Sequence, residues 1–224
     1  MTIKDQPAPT EGAGQSILKA PTTRRDALDR YYTPQWVTEA LLDHVGVSGN
    51  VLEPCAGTGG VADVLERHGL NVVRCDIDRG ASPKNVIKDF LNADSRVQIH
   101  IPPPAWVITN PPYATPDGRK ASDFVRRAIN IAPRVAMLLR LSWLEPCGDR
   151  IDIFTEAPPS RLVILPRISF KGPGGRGKSK TDSVTSAWVV WDHDDSDASV
   201  EPGISWGTRA DVARIKGGLL WATK

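Results

Sequence analysis

Apolar residues along the chain fall alternately at helical spacing and in short continuous or alternating runs, and that order predicts a sheet flanked by helices. Thr33-Pro34 opens the first helix, with Thr at the N-cap and Pro at the first helical position. Trp36, Val37, Ala40, Leu41 and Val45 then recur on one side up to Gly46. Val51-Leu52 reads as a short strand, Gly60 to His68 as a helix closed by Gly69, and Asn71 to Asp76 as a second strand. Trp106 to Thr109 gives another strand, Ala121 to Ala132 an amphipathic helix, and Val135 to Leu141 a strand apolar on both faces. Such strands belong to a parallel sheet covered on both sides.

The last third changes character. Leu162 to Leu165 and Val184 to Trp191 are β-rich runs with no helix-length segment between them, and they should pair as an antiparallel hairpin at one sheet edge. Residues 1–24 mix Pro, Gly, Thr and Ser without periodicity and read as a disordered arm. The main domain is expected over 25–199. Trp206, Ile215, Leu219, Leu220 and Trp221 make the 200–224 tail too apolar to float free, so it should pack back on that domain.

Composition narrows the class only modestly. Apolar residues are 40% and charged residues 24% of the 224, as in ordinary globular proteins. No run approaches the ~18 apolar residues a membrane span needs, and the N-terminus lacks the apolar core of a signal peptide. Cys55, Cys75 and Cys147 lack the spacing of a disulfide framework or a zinc site. The expectation is a cytoplasmic, intracellular protein with no membrane association and no metal. The net charge of +2 is small, yet Arg161 to Lys180 carries six basic residues and no acidic one, and Asp192 to Glu201 is acidic. A basic run is usually a solvated loop.

The chemistry concentrates at predicted strand ends. Glu53-Pro54-Cys55-Ala56-Gly57-Thr58-Gly59-Gly60 is an acidic residue followed by a glycine turn into a helix, where the backbone can come close to a ligand. Its spacing is not that of the dinucleotide fingerprint. Glu53 instead offers a carboxylate to an ammonium group. The next strand ends at Asp76, followed by Ile77, where a carboxylate can take ribose hydroxyls. Asp89 offers an acceptor for an adenine amino group and Phe90 a ring to pack on the base, although a loop followed by a core anchor fits these two nearly as well.

Asn110-Pro111-Pro112-Tyr113 follows a strand directly and is the most informative segment. Two prolines cannot continue a sheet, lack N–H groups and hold their segment extended. The Asn110 carboxamide oxygen and a rigid neighbouring carbonyl can grip both hydrogens of an –NH2 group and aim its lone pair at an electrophile. Tyr113 gives a flat face for the ring that carries the amine. His44, His68, His100 and His193 fall in contexts that suit surface residues, so no histidine dyad is expected.

The sequence order Tyr31-Tyr32-Thr33-Pro34, Glu53-Pro54-x-x-Gly57-x-Gly59, Asp76, Asp89-Phe90, Asn110-Pro111-Pro112-Tyr113 resembles the S-adenosylmethionine-dependent amino-group DNA methyltransferases of the NPPY type, small phage-type adenine-N6 methylases above all. The resemblance spans about residues 30 to 192. It implies a Rossmann-like, mostly parallel seven-stranded sheet ending in an antiparallel hairpin of the sixth and seventh strands. It further implies S-adenosylmethionine as cofactor, bordered by Tyr31, Tyr32, Thr33, Glu53, Ala56, Gly57, Gly59, Asp76, Ile77, Asp89 and Phe90. Asn110, Pro111, Pro112 and Tyr113 would handle a base flipped from DNA. Methyl transfer from a sulfonium asks for positioning more than for a strong base. Larger members of that family carry a target-recognition domain that this chain has no room for, so loops such as 114–119 and 171–180 would take its place.

Alternative substrates for the same grip are an RNA adenine, cytosine N4 or a protein glutamine amide. A binding module with a vestigial pocket is the non-enzymatic alternative. Gly172 to Ser179 also satisfies the phosphate-loop pattern GxxxxGK[ST], but it is followed by β-branched and aromatic residues at alternating spacing rather than by a helix. A basic hairpin loop touching nucleic-acid phosphates through Lys171, Arg176, Lys178 and Lys180 is the reading preferred for it.

Overall fold

A computed structural model describes residues 32–92, 103–115, 117–146, 148–168, 184–192 and 203–206. Tyr31, the basic loop residues Lys171, Arg176, Lys178 and Lys180, and the 1–24 arm lie outside them. Eight strands form one sheet: β1 Asn50–Glu53, β2 Asn71–Asp76, β3 Val86–Ile87, β4 Trp106–Thr109, β5 Arg134–Arg140, β6 Arg161–Ile164, β7 Ser186–Asp192 and β8 Gly203–Trp206. Their spatial order is β3-β2-β1-β4-β5-β7-β6-β8. Pairing is parallel from β3 through β5, and β7 runs antiparallel to both β5 and β6. This is the Rossmann-like architecture with the expected antiparallel hairpin.

The strand count differs from the expected seven. Residues 203–206 of the tail pair parallel with β6 from Arg161↔Gly203 to Ile164↔Trp206. The edge of a short strand leaves a row of unpaired N–H and C=O groups, and a returning segment of chain satisfies them.

Helices α1 Gln35–Leu42, α2 Ala62–Arg67, α3 Ala121–Ile129 and α4 Ile151–Glu156 cover the sheet. Alternate residues of the central strands supply the two cores. Trp106 and Ile108 of β4, Ala136 and Leu138 of β5 and Trp188 of β7 pack with Val37 and Leu41 of α1 and Leu65 of α2. Val107, Val135, Met137, Leu139 and Trp191 face the other way, toward Phe124 and Val125 of α3. Trp188 buries its ring completely and donates from Nε1 to the Val37 carbonyl at 2.7 Å, which pins α1 to β7.

Helix boundaries depart from the pattern by a turn or less. The first hydrogen bond into α2 reaches the Gly59 carbonyl, from Asp63 N–H at 2.9 Å. The same helix closes with Gly69 N–H on the Glu66 carbonyl and Leu70 N–H on that of Leu65, as expected of Gly69. The start of α1 is a correction: Pro34, not Thr33, stands at the N-cap, with no side-chain cap bond. The Thr33 hydroxyl has a longer-range partner instead. For the phosphate-loop pattern, strand β7 begins at Ser186, seven positions after Ser179, so no helix of the ~10–12 residues a crossover needs can follow it.

Topology fixes where a ligand can sit. From β1 the chain runs outward to β2 and β3, then returns to the other side of β1 as β4. At such a switch point the loops leaving the carboxyl ends of the two central strands diverge and open a crevice. Glu53 ends β1, and Asn110 follows β4.

Candidate active site

Glu53 is the last residue of β1 and is 1% exposed. Its carboxylate receives the backbone N–H of Ala62, and the second oxygen, Oε2, is enclosed with no hydrogen-bond partner. Burial pushes this carboxyl well above the ordinary carboxylate range, although the Ala62 N–H and the Arg74 charge work against it. A buried carboxylate with an unused oxygen is costly unless something cationic meets it.

The glycine turn lies over this carboxylate. Gly57 N–H donates to Asp76 Oδ2 at 2.7 Å, and the Gly57 carbonyl accepts from Asn85 Nδ2 at 2.8 Å. Asp76 thus stands at the end of β2, as expected, and holds the turn through one oxygen while Asp78 N–H bonds the other at 2.8 Å. Gly59 has φ +96°, a left-handed conformation that L side chains rarely adopt. Under the turn lies Arg74, whose side chain is 3% exposed and pairs with Asp63 and Glu66 at 2.6 Å each. Gly60 answers a different need: a Cβ there would come within 2.6 Å of the Thr33 carbonyl oxygen. Only glycine lets the segment before α1 close over the turn.

That closure brings Thr33 to Asn110. Asn110 Nδ2 donates to Thr33 Oγ1 at 3.1 Å. The bond holds the carboxamide against Thr33, and its Oδ1 is enclosed and has no hydrogen-bond partner. Tyr32, Thr33, Glu53, Ala56, Gly57 and Asn110 line one polar pocket, with Cys55, Thr58, Gly60 and Val61 completing the wall. The residues expected at a methyl donor and the residue expected at a methyl acceptor thus share a cavity. Burial and the Asp76 charge push the Cys55 thiol well above its ordinary range, so it serves as a neutral wall rather than a nucleophile.

The other expected site residues take varied places. Ile77 follows Asp76 and is 44% exposed. Pro111 is buried, and Pro112 and Tyr113 are half-buried just outside the pocket. The Tyr113 ring lies under the Arg140 guanidinium, 4.6 Å from its centroid. Phe90 is 8% exposed and stacks on Phe124, with ring centroids 6.1 Å apart. Asp89 takes Arg119 Nη1 on both carboxylate oxygens at 2.7 Å, which ties the 114–119 loop back to the segment after β3. Sequence reasoning missed Asn85, Arg74, Arg119 and Arg140. Each acts through a partner on another element or loop, from 8 positions away for Arg74 and Glu66 to 30 for Arg119 and Asp89, and no local motif announces that.

Among the described residues no group of three or more His, Cys, Asp or Glu could hold a metal ion, and no helix is long and apolar enough to cross a membrane.

No protein-family model and no curated protein matches the sequence. Solved structures do match by shape. A protein of Pyrococcus horikoshii provisionally described as an RNA methyltransferase superposes with a TM-score of 0.51 at 20% identity, over 74% of this chain and 88% of that one. A modification subunit from Vibrio vulnificus, provisionally assigned to a type I restriction enzyme, gives 0.56 at 14% identity, over 79% and 47%. A Listeria monocytogenes protein provisionally described as a class I S-adenosylmethionine-dependent methyltransferase gives 0.51 at 14%, over 76% and 62%. The chain spans about half the length of the Vibrio subunit. These likenesses show the fold: it is that of the Rossmann-like class I methyltransferases.

Proposed function

We propose that this protein is an S-adenosylmethionine-dependent methyltransferase acting on the exocyclic N6 of an adenine flipped out of DNA. One observation carries the reading. Asn110, held against Thr33, and Glu53 line one pocket, and each has an enclosed side-chain oxygen without a hydrogen-bond partner.

The residues present fit the cofactor. Glu53 Oε2 suits its ammonium group, the Gly57–Gly59 turn admits it closely, and Asp76 at the end of β2 suits its ribose hydroxyls. When bound, the cofactor supplies a methyl group already activated on a positively charged sulfur. The protein's remaining work is to place and polarise the acceptor. Asn110 Oδ1 accepts one N–H of the incoming amine. That hydrogen bond strengthens as the nitrogen gives up electron density and its N–H becomes more acidic, so it stabilises the transition state more than the ground state. Pro111 and Pro112, unable to extend β4, hold the segment rigid, and the Pro111 carbonyl is proposed as acceptor for the second N–H. Tyr113 stacks on the base. Asp89 is proposed for the cofactor's adenine amino group, in exchange with Arg119.

DNA is favoured because the similar Vibrio protein is named for a restriction-modification subunit and because the Arg161–Lys180 segment is basic. RNA is the second reading, favoured by the name of the Pyrococcus protein. Incubation with methyl-labelled S-adenosylmethionine and DNA, RNA or bulk protein, followed by digestion, separates them. Label in N6-methyladenine from DNA is the expected result. Label in RNA, in N4-methylcytosine or in glutamine reassigns the substrate, and no label anywhere favours a binding module with a vestigial pocket.

A further inference from the structure

Strand β5 outruns its neighbour. β4 ends at Thr109, opposite Met137, while β5 continues through Leu138 and Leu139 to Arg140. Three further residues carry it ~10 Å past the end of β4 at the rise of an extended strand. Arg140 therefore stands level with the turn that Asn110 opens, and its guanidinium carbon lies 4.6 Å from the centroid of the Tyr113 ring.

Arg74, Arg119, Arg126 and Arg134 all meet carboxylates within 3.1 Å. Arg140 is half-buried and meets no carboxylate among the described residues; its Nε, like those of Arg127 and Arg150, is enclosed without a hydrogen-bond partner, and its guanidinium alone lies on the ring of a residue that follows Asn110. Withdrawing a guanidinium from water without an anion is unfavourable, and a ring face offsets only part of that cost. A site that keeps such a cation beside a target pocket is matched to an anion arriving with the substrate. Guanidinium on an aromatic face still has N–H donors available for a phosphate.

We infer that Arg140 is a substrate-positioning residue: it holds the Tyr113 ring in place and presents its N–H donors to the backbone phosphate of the nucleotide whose amine Asn110 takes. The inference rests on the nucleic-acid reading above and deepens it. It gives the site a reason to favour a nucleotide over a glutamine amide, since a protein side chain brings neither a flat ring for Tyr113 nor a phosphate for Arg140.

The test compares wild type, Arg140→Leu and Arg140→Lys on an adenine-containing oligonucleotide, with steady-state kinetics across a salt series and cofactor affinity by calorimetry. Arg140→Leu is expected to raise KM for the oligonucleotide at least tenfold and to reduce the slope of log affinity against log salt by about one. Cofactor affinity should stay within twofold. Arg140→Lys should keep the wild-type salt slope, because the charge remains, and still lower kcat/KM several-fold, because the planar fork is lost. An Arg140→Leu protein with wild-type KM and salt slope overturns the inference and leaves the proposed function standing. A wild-type protein that methylates no nucleic acid overturns both. A fall in cofactor affinity equal to the fall in kcat/KM, in both variants, overturns the inference by making Arg140 a residue of the fold alone.

Discussion

Thr33 and Asn110, separated by 77 positions in the chain, are joined by a 3.1 Å hydrogen bond from the asparagine amide to the threonine hydroxyl. The bond holds the carboxamide against the segment before α1, with the amide nitrogen on the threonine and Oδ1 left without a partner. Without it the side chain loses the contact that fixes its place at the pocket wall. Thr33→Val keeps shape and burial but removes the hydroxyl. It is expected to lower kcat by one to two orders of magnitude, less than the 10²–10³ seen when a positioned polar group is removed outright. Cofactor affinity should change less than threefold. Steady-state kinetics beside a cofactor titration check this.

Gly60 is what lets the Thr33 segment lie so low. A methyl group there would meet the Thr33 carbonyl oxygen at 2.6 Å. Gly60→Ala should cost about 1–3 kcal/mol of stability, the usual range for overpacking, and should lower kcat along with Thr33→Val by lifting Thr33 off Asn110. Denaturant melts paired with activity measure both effects. A stable, fully active variant would show that the close approach is unimportant.

Glu53 links stability to ligand binding. Burial raises its pKa in the folded protein well above the ordinary value of 4.5. The folded state then binds this proton more tightly than the unfolded state does, so the contribution to stability is present at low pH and is lost as pH rises from about 4.5 through the folded-state value. The cofactor-free protein is expected to lose stability over that window. Glu53→Gln should remove the loss, raise Tm at neutral pH and weaken cofactor binding at least tenfold, as expected for a missing charge-assisted hydrogen bond of about 1.5–3 kcal/mol. Thermal melts across pH, with and without cofactor, give the comparison. A variant less stable at neutral pH but binding normally would contradict the role assigned to Glu53.

The basic loop supplies a fourth test. Lys178→Ala with Lys180→Ala should weaken DNA affinity and reduce its salt slope by about two, one for each phosphate that a lysine no longer neutralises. Binding titrations at several salt concentrations measure it. Unchanged affinity and slope would make the loop a solvated one.

Much of the fold was legible because strand signals are local. Asn71–Asp76 and Trp106–Thr109 match the expected spans residue for residue, the first set off by the Gly69 helix stop and its terminal Asn71 and Asp76, the second a short run of Trp, Val, Ile and Thr between proline-rich segments. That Glu53, Gly57 and Asn110 come to line one pocket was legible because each lies at or near a strand end, and topology brings such ends together. What stayed hidden depends on long-range partners. Thr33-Pro34 looks like a cap and start of a helix, but tertiary packing turned the hydroxyl toward Asn110. Phe90 looks nearly as well suited to a core as to a ligand, and its contact with Phe124, 34 positions on, is not readable from its neighbours in the chain. The edge pairing of residues 203–206 depends on β6 having a free side, which no spacing within the tail could reveal.

The measurement closest to the central claim is a split readout on Asn110→Ala, with cofactor affinity by calorimetry and methyl transfer to DNA by label. The account predicts a cofactor Kd within twofold of wild type and transfer reduced at least a hundredfold. Weakened cofactor affinity, or transfer that persists, would contradict it.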